Sequence, residues 1–296
     1  MNTKTKPKVI AIAAPTASGK TSFAIELAKE IGGEIVSADS RIIYKGFDIA
    51  CAKPTKEEMG NVPHYMIDIV EPEVDYSVAN YVDDATEAIN KILAKNKTPI
   101  IVGGTGLYFR ALLEGWNLPR VAPNYELREK LEKLSLKELL EKLKKLDEKT
   151  FSQMEKEPKK RKIIRAIEVC ETLGEPMSNF SNQKEPPYEV EWIGIGMTRE
   201  ELYERVNKRV DLMVEQGVVE ETKNLLKKHG RIKNLISTIG YNEIIQYLDN
   251  EITLNTAIEL IKQHSRNYAK RQLTWFRKNT NLDYKERHEN LILYKT

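Results

Sequence analysis

The stretch KVIAIAAPTASGKTS, Lys8 to Ser22, decides how the chain is to be read. Val9 to Ala13 is apolar and does not alternate, the pattern of a strand covered on both faces in a parallel sheet. A loop of small residues follows. From Lys20 onward Phe23, Leu27 and Ile31 recur every four residues, so the loop opens into an amphipathic helix whose first amides point back at it. The spacing fits G-x-x-x-x-G-K-[ST], with Gly19, Lys20 and Thr21 in register and Ala14 in place of the first glycine. Alanine disfavours a left-handed backbone at that position but leaves the amide cradle, the Lys20 charge and the Thr21 hydroxyl in place. Ala14, Pro15, Thr16, Ala17, Ser18, Gly19, Lys20 and Thr21 therefore form a candidate phosphate or diphosphate loop.

A chain of 296 residues has room for one large α/β domain with an insertion. No apolar run approaches the length of a membrane span and the start, MNTKTKPK, has no apolar signal region, so no membrane is expected and the cytoplasm is the expected location. Cys51 and Cys170 are the two cysteines, too few for a disulfide framework or a zinc site. Both read as reduced bystanders. The net charge of +3, from 47 basic and 44 acidic residues, says little about partners, and the placement of charge says more.

Glu34 to Ser37 reads as a second strand, ending beside Asp39. Ligands of open parallel sheets lie outside the carboxyl ends of the strands, so Asp39 falls next to the phosphate loop, either as a functional carboxylate or as the cap of the Arg41 to Tyr44 turn. HYMIDI, His64 to Ile69, reads as a further strand carrying Asp68 as a loop cap or metal ligand. Val78 to Leu93 has helical periodicity, and Pro99 to Val102 is another buried strand. Gly103, Gly104 and Gly106 follow it, a turn suited to the close approach of a ligand.

After Trp116 the composition shifts to Leu, Lys and Glu, with leucines at helical spacing and a capping box from Ser135 to Glu138. Residues 118–187 read as an inserted helical subdomain, leaving 1–117 and 188–296 as the core; its end is marked by the segment from Gln183 to Pro187. Lys156 to Arg165 is a basic run leading into an apolar helix. Glu191 to Met197 returns to strand, and the next helix carries Arg205 and Arg209 on one face, placed to grip phosphate or to pair with Glu201 and Glu204. Lys262 to Lys278 has six basic residues and no acid, interleaved with Tyr268, Trp275 and Phe276, the composition of a nucleic-acid contact or of a last helix packed on the core.

In order along the chain, APTASGKT (14–21), SADSRIIYKGFDIACAKP (37–54), PHYMIDI (63–69), PIIVGGTGLYFRALLEG (99–115), RAIEV (165–169) and KRQLTWFR (270–277) resemble the tRNA dimethylallyltransferases. The resemblance runs from residue 8 to about 280. It implies an α/β fold, a P-loop NTPase-like parallel sheet flanked by helices, with the helical insertion contacting tRNA. It implies transfer of a dimethylallyl group from dimethylallyl diphosphate to N6 of the adenosine 3′ of the anticodon, position 37, with diphosphate released. By the same resemblance the ATP-binding-type loop would hold diphosphate, Thr21 would bind it or Mg²⁺, Asp39 would be the general base and Arg209 would hold diphosphate. The tRNA-contacting positions implied are Asp39, Ser40, Arg41, Ile42, Thr105, Arg128, Arg161, Lys162, Arg165, Thr238, Gly240, Tyr241, Lys270, Arg271, Gln272, Trp275 and Arg277. The expected partners are the tRNA anticodon stem-loop and dimethylallyl diphosphate, with the chain acting as a monomer. Ala14 departs from the family's usual Gly, and Lys162 stands where many members carry Arg. A dimethylallyltransferase for free adenylate, a nucleotide kinase and a noncatalytic RNA-binding module are the rival readings.

Overall fold

A computed structural model describes residues 5–181 and 185–279, with Ser181, Lys278 and Asn279 described by their backbone alone; part of the Gln183 to Pro187 segment thus lies outside the described residues. The strands are β1 Lys8–Ala13, β2 Glu34–Ser37, β3 His64–Tyr65, β4 Pro99–Gly103 and β5 Glu189–Gly194. The helices are α1 Lys20–Ile31, α2 Lys56–Met59, α3 Val78–Leu93, α4 Gly106–Leu113, α5 Tyr125–Glu132, α6 Leu136–Leu146, α7 Glu148–Met154, α8 Lys160–Leu173, α9 Arg199–Glu215, α10 Val218–His229, α11 Lys233–Ile236, α12 Tyr241–Leu248 and α13 Leu254–Asn279. Among the described residues no helix is long and apolar enough to cross a membrane.

Two compact units result: one takes in the described residues up to Leu112 and from Pro187 onward, the other is Leu113–Pro186. The first holds a five-stranded sheet in the order β3-β2-β4-β1-β5, every pair parallel. β2 and β4 are buried along their whole length and β1 nearly so, which explains the apolar runs at 9–13 and 99–102 and the apolar centre of β2, Ile35 and Val36. One core joins Ile12, Ile35, Ile100, Val102 and Ile193 of the sheet to Ala24, Ile25 and Ala28 of α1. A second core gathers Tyr44, Phe47, Val210, Tyr241, Ile244 and Ile261, with Phe47 edge-on to Tyr241 at 4.9 Å between ring centroids. The carboxyl ends of β1, β2 and β4 lead directly into the phosphate loop, Asp39 and the glycine turn.

The structure corrects three local expectations. In α1 the core face is Ala24, Ile25 and Ala28, whereas Phe23 and Leu27 are half-buried and Ile31 is exposed. A strict four-residue spacing drifts around a helix of 3.6 residues per turn, and the small alanines let α1 lie close to the sheet. HYMIDI pairs as a strand only over its first two residues, because Met66 and Asp68 have left-handed φ of 64° and 52°. Beyond them the amides of Asp68 and Ile69 donate to the carbonyls of Ile42 and Ile43. The carboxylate of Asp68 pairs with Lys53 at 2.5 Å, and among the described residues no three His, Cys, Asp or Glu side chains converge on a metal site. Finally, β5 runs from Glu189 to Gly194 and stops short of Met197.

The Leu113–Pro186 unit closes on Leu131, Leu139, Leu143, Ile163, Ile164 and Ile167. The capping box of Ser135 with Glu138 is formed, as its spacing predicts. At the centre lies Glu168, fully buried, which accepts from the Arg128 Nε and Nη2 at 2.8 Å each, from Arg165 Nη1 at 2.5 Å and from the Asn124 amide at 2.7 Å. Burial pushes its carboxyl up, and those donors outweigh burial and hold it below the ordinary range.

Glu34, 1% exposed at the start of β2, is held the same way by Lys97 at 2.8 Å and by Lys95 and Tyr65 at 2.9 Å each. Burial raises its pKa, but these hydrogen bonds prevail and bring it from 4.5 to about 2. A carboxyl with a depressed folded pKa stabilises the fold above its unfolded pKa and stops doing so as pH falls through the folded one. Glu34→Gln is therefore expected to cost on the order of 3 kcal/mol at pH 7, by the usual conversion of pKa shift to free energy. Urea unfolding of the two proteins should show that gap closing as pH drops from about 4.5 towards 2; a pH-independent gap would show that charge is not what Glu34 contributes.

Candidate functional site

Two adjoining cavities open outside the carboxyl ends of the strands, and Thr16, Ala17, Asp39, Cys51 and Arg209 line both. The smaller, about 260 Å³, also takes Gly19, Lys20, Thr21 and Ser22 from the loop and start of α1, with Ile42, His64 and Gly103. The larger, about 300 Å³, takes Ser40, Arg41, Ser237, Thr238, Tyr268 and Arg271. Sequence neighbours and residues more than 200 positions apart thus meet at one carboxylate.

The smaller cavity is built to receive an anion. No side chain caps α1, so its first amides face the loop, where Ala17 and Gly19 adopt left-handed φ of 61° and 83°. The left-handed turn therefore falls three residues after Ala14, which is why alanine is tolerated there. Lys20 reaches the Pro15 carbonyl at 3.3 Å. Burial drives its ammonium down to about 8, with the Asp39 charge opposing and Arg209 adding to the shift. Arg209 donates from Nη1 to the Thr16 hydroxyl and from Nη2 to the Cys51 carbonyl at 3.1 Å. Its Nε is buried with no partner among the described residues. Burial lowers its pKa as well, against the pull of Asp39. Arg209 thus belongs to the cavity and not to a surface pair; Glu204 is bound by Lys208 instead.

Asp39 caps the turn that follows it and also faces both cavities. Its Oδ1 accepts the Arg41 amide at 2.8 Å, an Asx turn, and its carboxylate walls both cavities. Thr105 fixes the same turn: its hydroxyl accepts the Ser40 amide at 3.1 Å, and its own amide donates to the Ala38 carbonyl. Arg41 reaches the Ser237 carbonyl at 3.3 Å across the larger cavity. Glu221 supports the far wall, accepting from the amides of Ile49 and Ala50 and from the Tyr241 hydroxyl at 2.7 Å.

Several side chains expected to meet ligand or RNA are placed otherwise. Ala14 is fully buried with its amide donating to the Gly103 carbonyl, Pro15 has no amide hydrogen, and the Thr16 amide is taken by Gln272. Ser18 is buried, its hydroxyl unpartnered among the described residues. The anion-facing part of the loop is therefore Ala17 and Gly19 to Thr21. The glycines of the turn after β4 admit the protein's own atoms: a Cβ would lie 2.2 Å from the Ala38 carbonyl oxygen at Gly103, 2.2 Å from Gln272 Nε2 at Gly104 and 2.2 Å from the Trp275 ring at Gly106. Of the positions expected to meet RNA, Tyr241 is fully buried, Thr238, Gly240 and Gln272 are buried, and Ile42 is buried facing the smaller cavity. Of these, Thr238 still lines the larger cavity and Ile42 the smaller, so burial keeps them from the outer surface but not from the cavities. Trp275 is half-buried against Gly106, while Lys270, Arg271 and Arg277 are exposed on α13, and Arg161 and Lys162 are exposed on α8. Arg128 and Arg165 converge on Glu168, each 32% exposed.

Two wall residues, Cys51 and Tyr268, are not among the site residues expected from the sequence. Cys51, read as a bystander, contributes a carbonyl to Arg209, and its thiol is pushed up by burial and by the Asp39 charge. A hydrogen bond to a carbonyl leaves no mark on residue type. Tyr268 is one of the aromatics noted along α13, and its place beside Asp39 and Arg41 follows only from the fold; burial raises its hydroxyl to about 12.

The family model described as IPP transferase matches residues 42–279. The tRNA dimethylallyltransferase of Halothermothrix orenii is 45% identical over 284 residues, covering 93% of this chain and 86% of that one. That of Bacillus mycoides is 45% identical over 277 residues, covering 92% and 87%. Among solved structures, a tRNA isopentenylpyrophosphate transferase from Bacillus halodurans superposes with a TM-score of 0.70 at 40% identity, covering 95% of this chain and 90% of that one. A eukaryotic dimethylallyltransferase acting on tRNA gives 0.79 at 27% identity, covering 91% and 70%.

Lys20 is a cation below its pKa of about 8 and neutral above it. Affinity for sulfate, an anion that does not titrate in this range, is therefore expected to be highest near pH 7 and to fall as pH rises through 8. Lys20→Arg, charged throughout, should flatten the profile measured by calorimetry. A wild-type profile flat to pH 10 would remove Lys20 from the anion site.

Proposed function

Because the chain belongs to the IPP transferase family, that of the tRNA dimethylallyltransferases, we propose that its two cavities divide the reaction, the smaller holding diphosphate and the larger the acceptor base. The chain is a prenyltransferase that moves a dimethylallyl group from dimethylallyl diphosphate to N6 of the adenosine 3′ of the anticodon, position 37, giving N6-dimethylallyladenosine. It does so as a cytoplasmic monomer. The observation that carries the division of labour is that Asp39 and Arg209 are common to both cavities while Lys20 and Thr21 line only the smaller.

In this reading the amides of Gly19 to Thr21, the Lys20 ammonium, the Thr21 hydroxyl and the Arg209 guanidinium bind the diphosphate. Withdrawn from water, those groups act more strongly on the charge that develops as the carbon–oxygen bond breaks. The adenine must leave its stack to reach Asp39, passing among Arg41, Tyr268 and Arg271. Its N6 lone pair is delocalised into the ring and attacks poorly unaided. As N6 bonds to the allylic carbon, Asp39 takes the N6 proton and diphosphate departs with the electron pair of the broken bond. The oxygen donors here, one carboxylate and the Thr21 hydroxyl, suit Mg²⁺, which takes few protein ligands and completes its shell with phosphate and water. Thr21 would hold that ion, which would supply further positive charge for the leaving diphosphate. Lys270, Arg271 and Arg277 on α13, and Arg161 and Lys162 on α8, bind phosphates of the anticodon stem-loop. The half-exposed Arg128 and Arg165 retain free N–H groups for the same purpose.

Asp39→Ala and Arg209→Ala are expected to lower kcat/KM for transfer by about 10² or more while tRNA affinity changes little. Normal turnover by either variant would end its assigned role. Affinity for tRNA should fall steeply with salt, and replacing Lys270 and Arg271 together should reduce the log–log slope by about one for each phosphate left without its cation. With unmodified tRNA, AMP, ATP and dimethylallyl diphosphate supplied together, tRNA alone should gain the five-carbon group. A prenylated or phosphorylated nucleotide would favour the transferase for free adenylate or the kinase.

A further inference from the structure

Gln272 follows Arg271 on the helix that carries the exposed cations, yet it is only 5% exposed. Both ends of its amide are engaged: Oε1 accepts the Thr16 amide at 2.8 Å, and Nε2 donates to the Gly104 carbonyl at 2.9 Å. One side chain of α13 therefore grips the phosphate loop and the turn after β4 together. The fit leaves no slack, since a methyl group on Gly104 would lie 2.2 Å from Gln272 Nε2. Thr16 passes the constraint on, because its hydroxyl accepts from Arg209 Nη1, and Arg209 is anchored on its other side by the Cys51 carbonyl.

We propose that Gln272 is a positioning residue for the diphosphate site, holding Thr16 so that the loop keeps its turn and Arg209 stays aimed into the cavity, and that it does not touch RNA. The inference rests on the reading of the loop as the diphosphate site. An uncharged amide can accept from an N–H and donate to a carbonyl at once. Glutamate in its place would set a second acceptor against the Gly104 carbonyl, and leucine would leave the Thr16 amide and that carbonyl both without partners in a buried place. Either change loosens the loop where a small displacement of a charge-binding group is costly.

The experiment measures two affinities on each folded protein: pyrophosphate by calorimetry, and an unmodified anticodon stem-loop by fluorescence anisotropy, with kcat and KM for dimethylallyl diphosphate alongside. Gln272→Leu and Gln272→Glu are expected to weaken pyrophosphate binding about ten- to a hundredfold, raise KM and lower kcat, while stem-loop affinity stays within about twofold. Gly104→Ala, which displaces the same amide without altering α13, should reproduce that pattern, and it carries the comparison if a variant at 272 does not fold. Loss of stem-loop affinity with pyrophosphate binding intact would make Gln272 an RNA-binding residue and overturn the proposal, as would unchanged affinities in all three variants. If wild type and Lys20→Ala bind pyrophosphate equally poorly, it is the diphosphate reading of the loop that fails.

Discussion

Lys20 and Arg209 are cations withdrawn from water outside the carboxyl ends of the parallel strands, and both feel the single carboxylate of Asp39 there. Burial weakens both cations, and the Arg209 Nε is left without a partner among the described residues. Such an arrangement is costly until an anion enters, and an anion is what the uncapped start of α1 also favours. A diphosphate satisfies all of these at once. The rest of the surrounding unit serves to keep the groups in place while the site is open.

That support comes from distant parts of the chain. The Thr16 hydroxyl and the Cys51 carbonyl hold the guanidinium of Arg209. Glu221 in turn fixes the backbone before Cys51, and Gln272 ties the loop to the turn after β4. Two glycines of that turn serve protein packing, since Gly104 and Gly106 make room for Gln272 and Trp275 of α13. The helix that offers Lys270, Arg271 and Arg277 to solvent is thus the helix whose other face braces the loop between β1 and α1.

The Leu113–Pro186 unit solves a different electrostatic problem. Glu168 is fully buried, where an unpaired carboxylate would be prohibitively costly. Arg128 and Arg165 supply the compensating charge and keep about a third of their surface exposed. Residues that stabilise this unit are therefore also available at its surface.

The sequence by itself determined the strands β1, β2 and β4, the helices α1 and α3, the capping box at Ser135, and the Gly-Lys-Thr step, because each is written in periodicity, cap chemistry or spacing within a few residues. It also brought Lys20, Thr21 and Asp39 to the same side of the sheet, since all follow the carboxyl ends of parallel strands. It misjudged the core face of α1 and the length of β3, where helix drift and two left-handed residues override local pattern. Only the tertiary structure decided that Arg209 turns inward to Thr16, that the Cys51 carbonyl anchors it, and that Tyr241 and Gln272 are buried. Those outcomes depend on which faces of α9, α12 and α13 pack against segments far away in the chain, and a face of a helix has no inside or outside until something is laid against it.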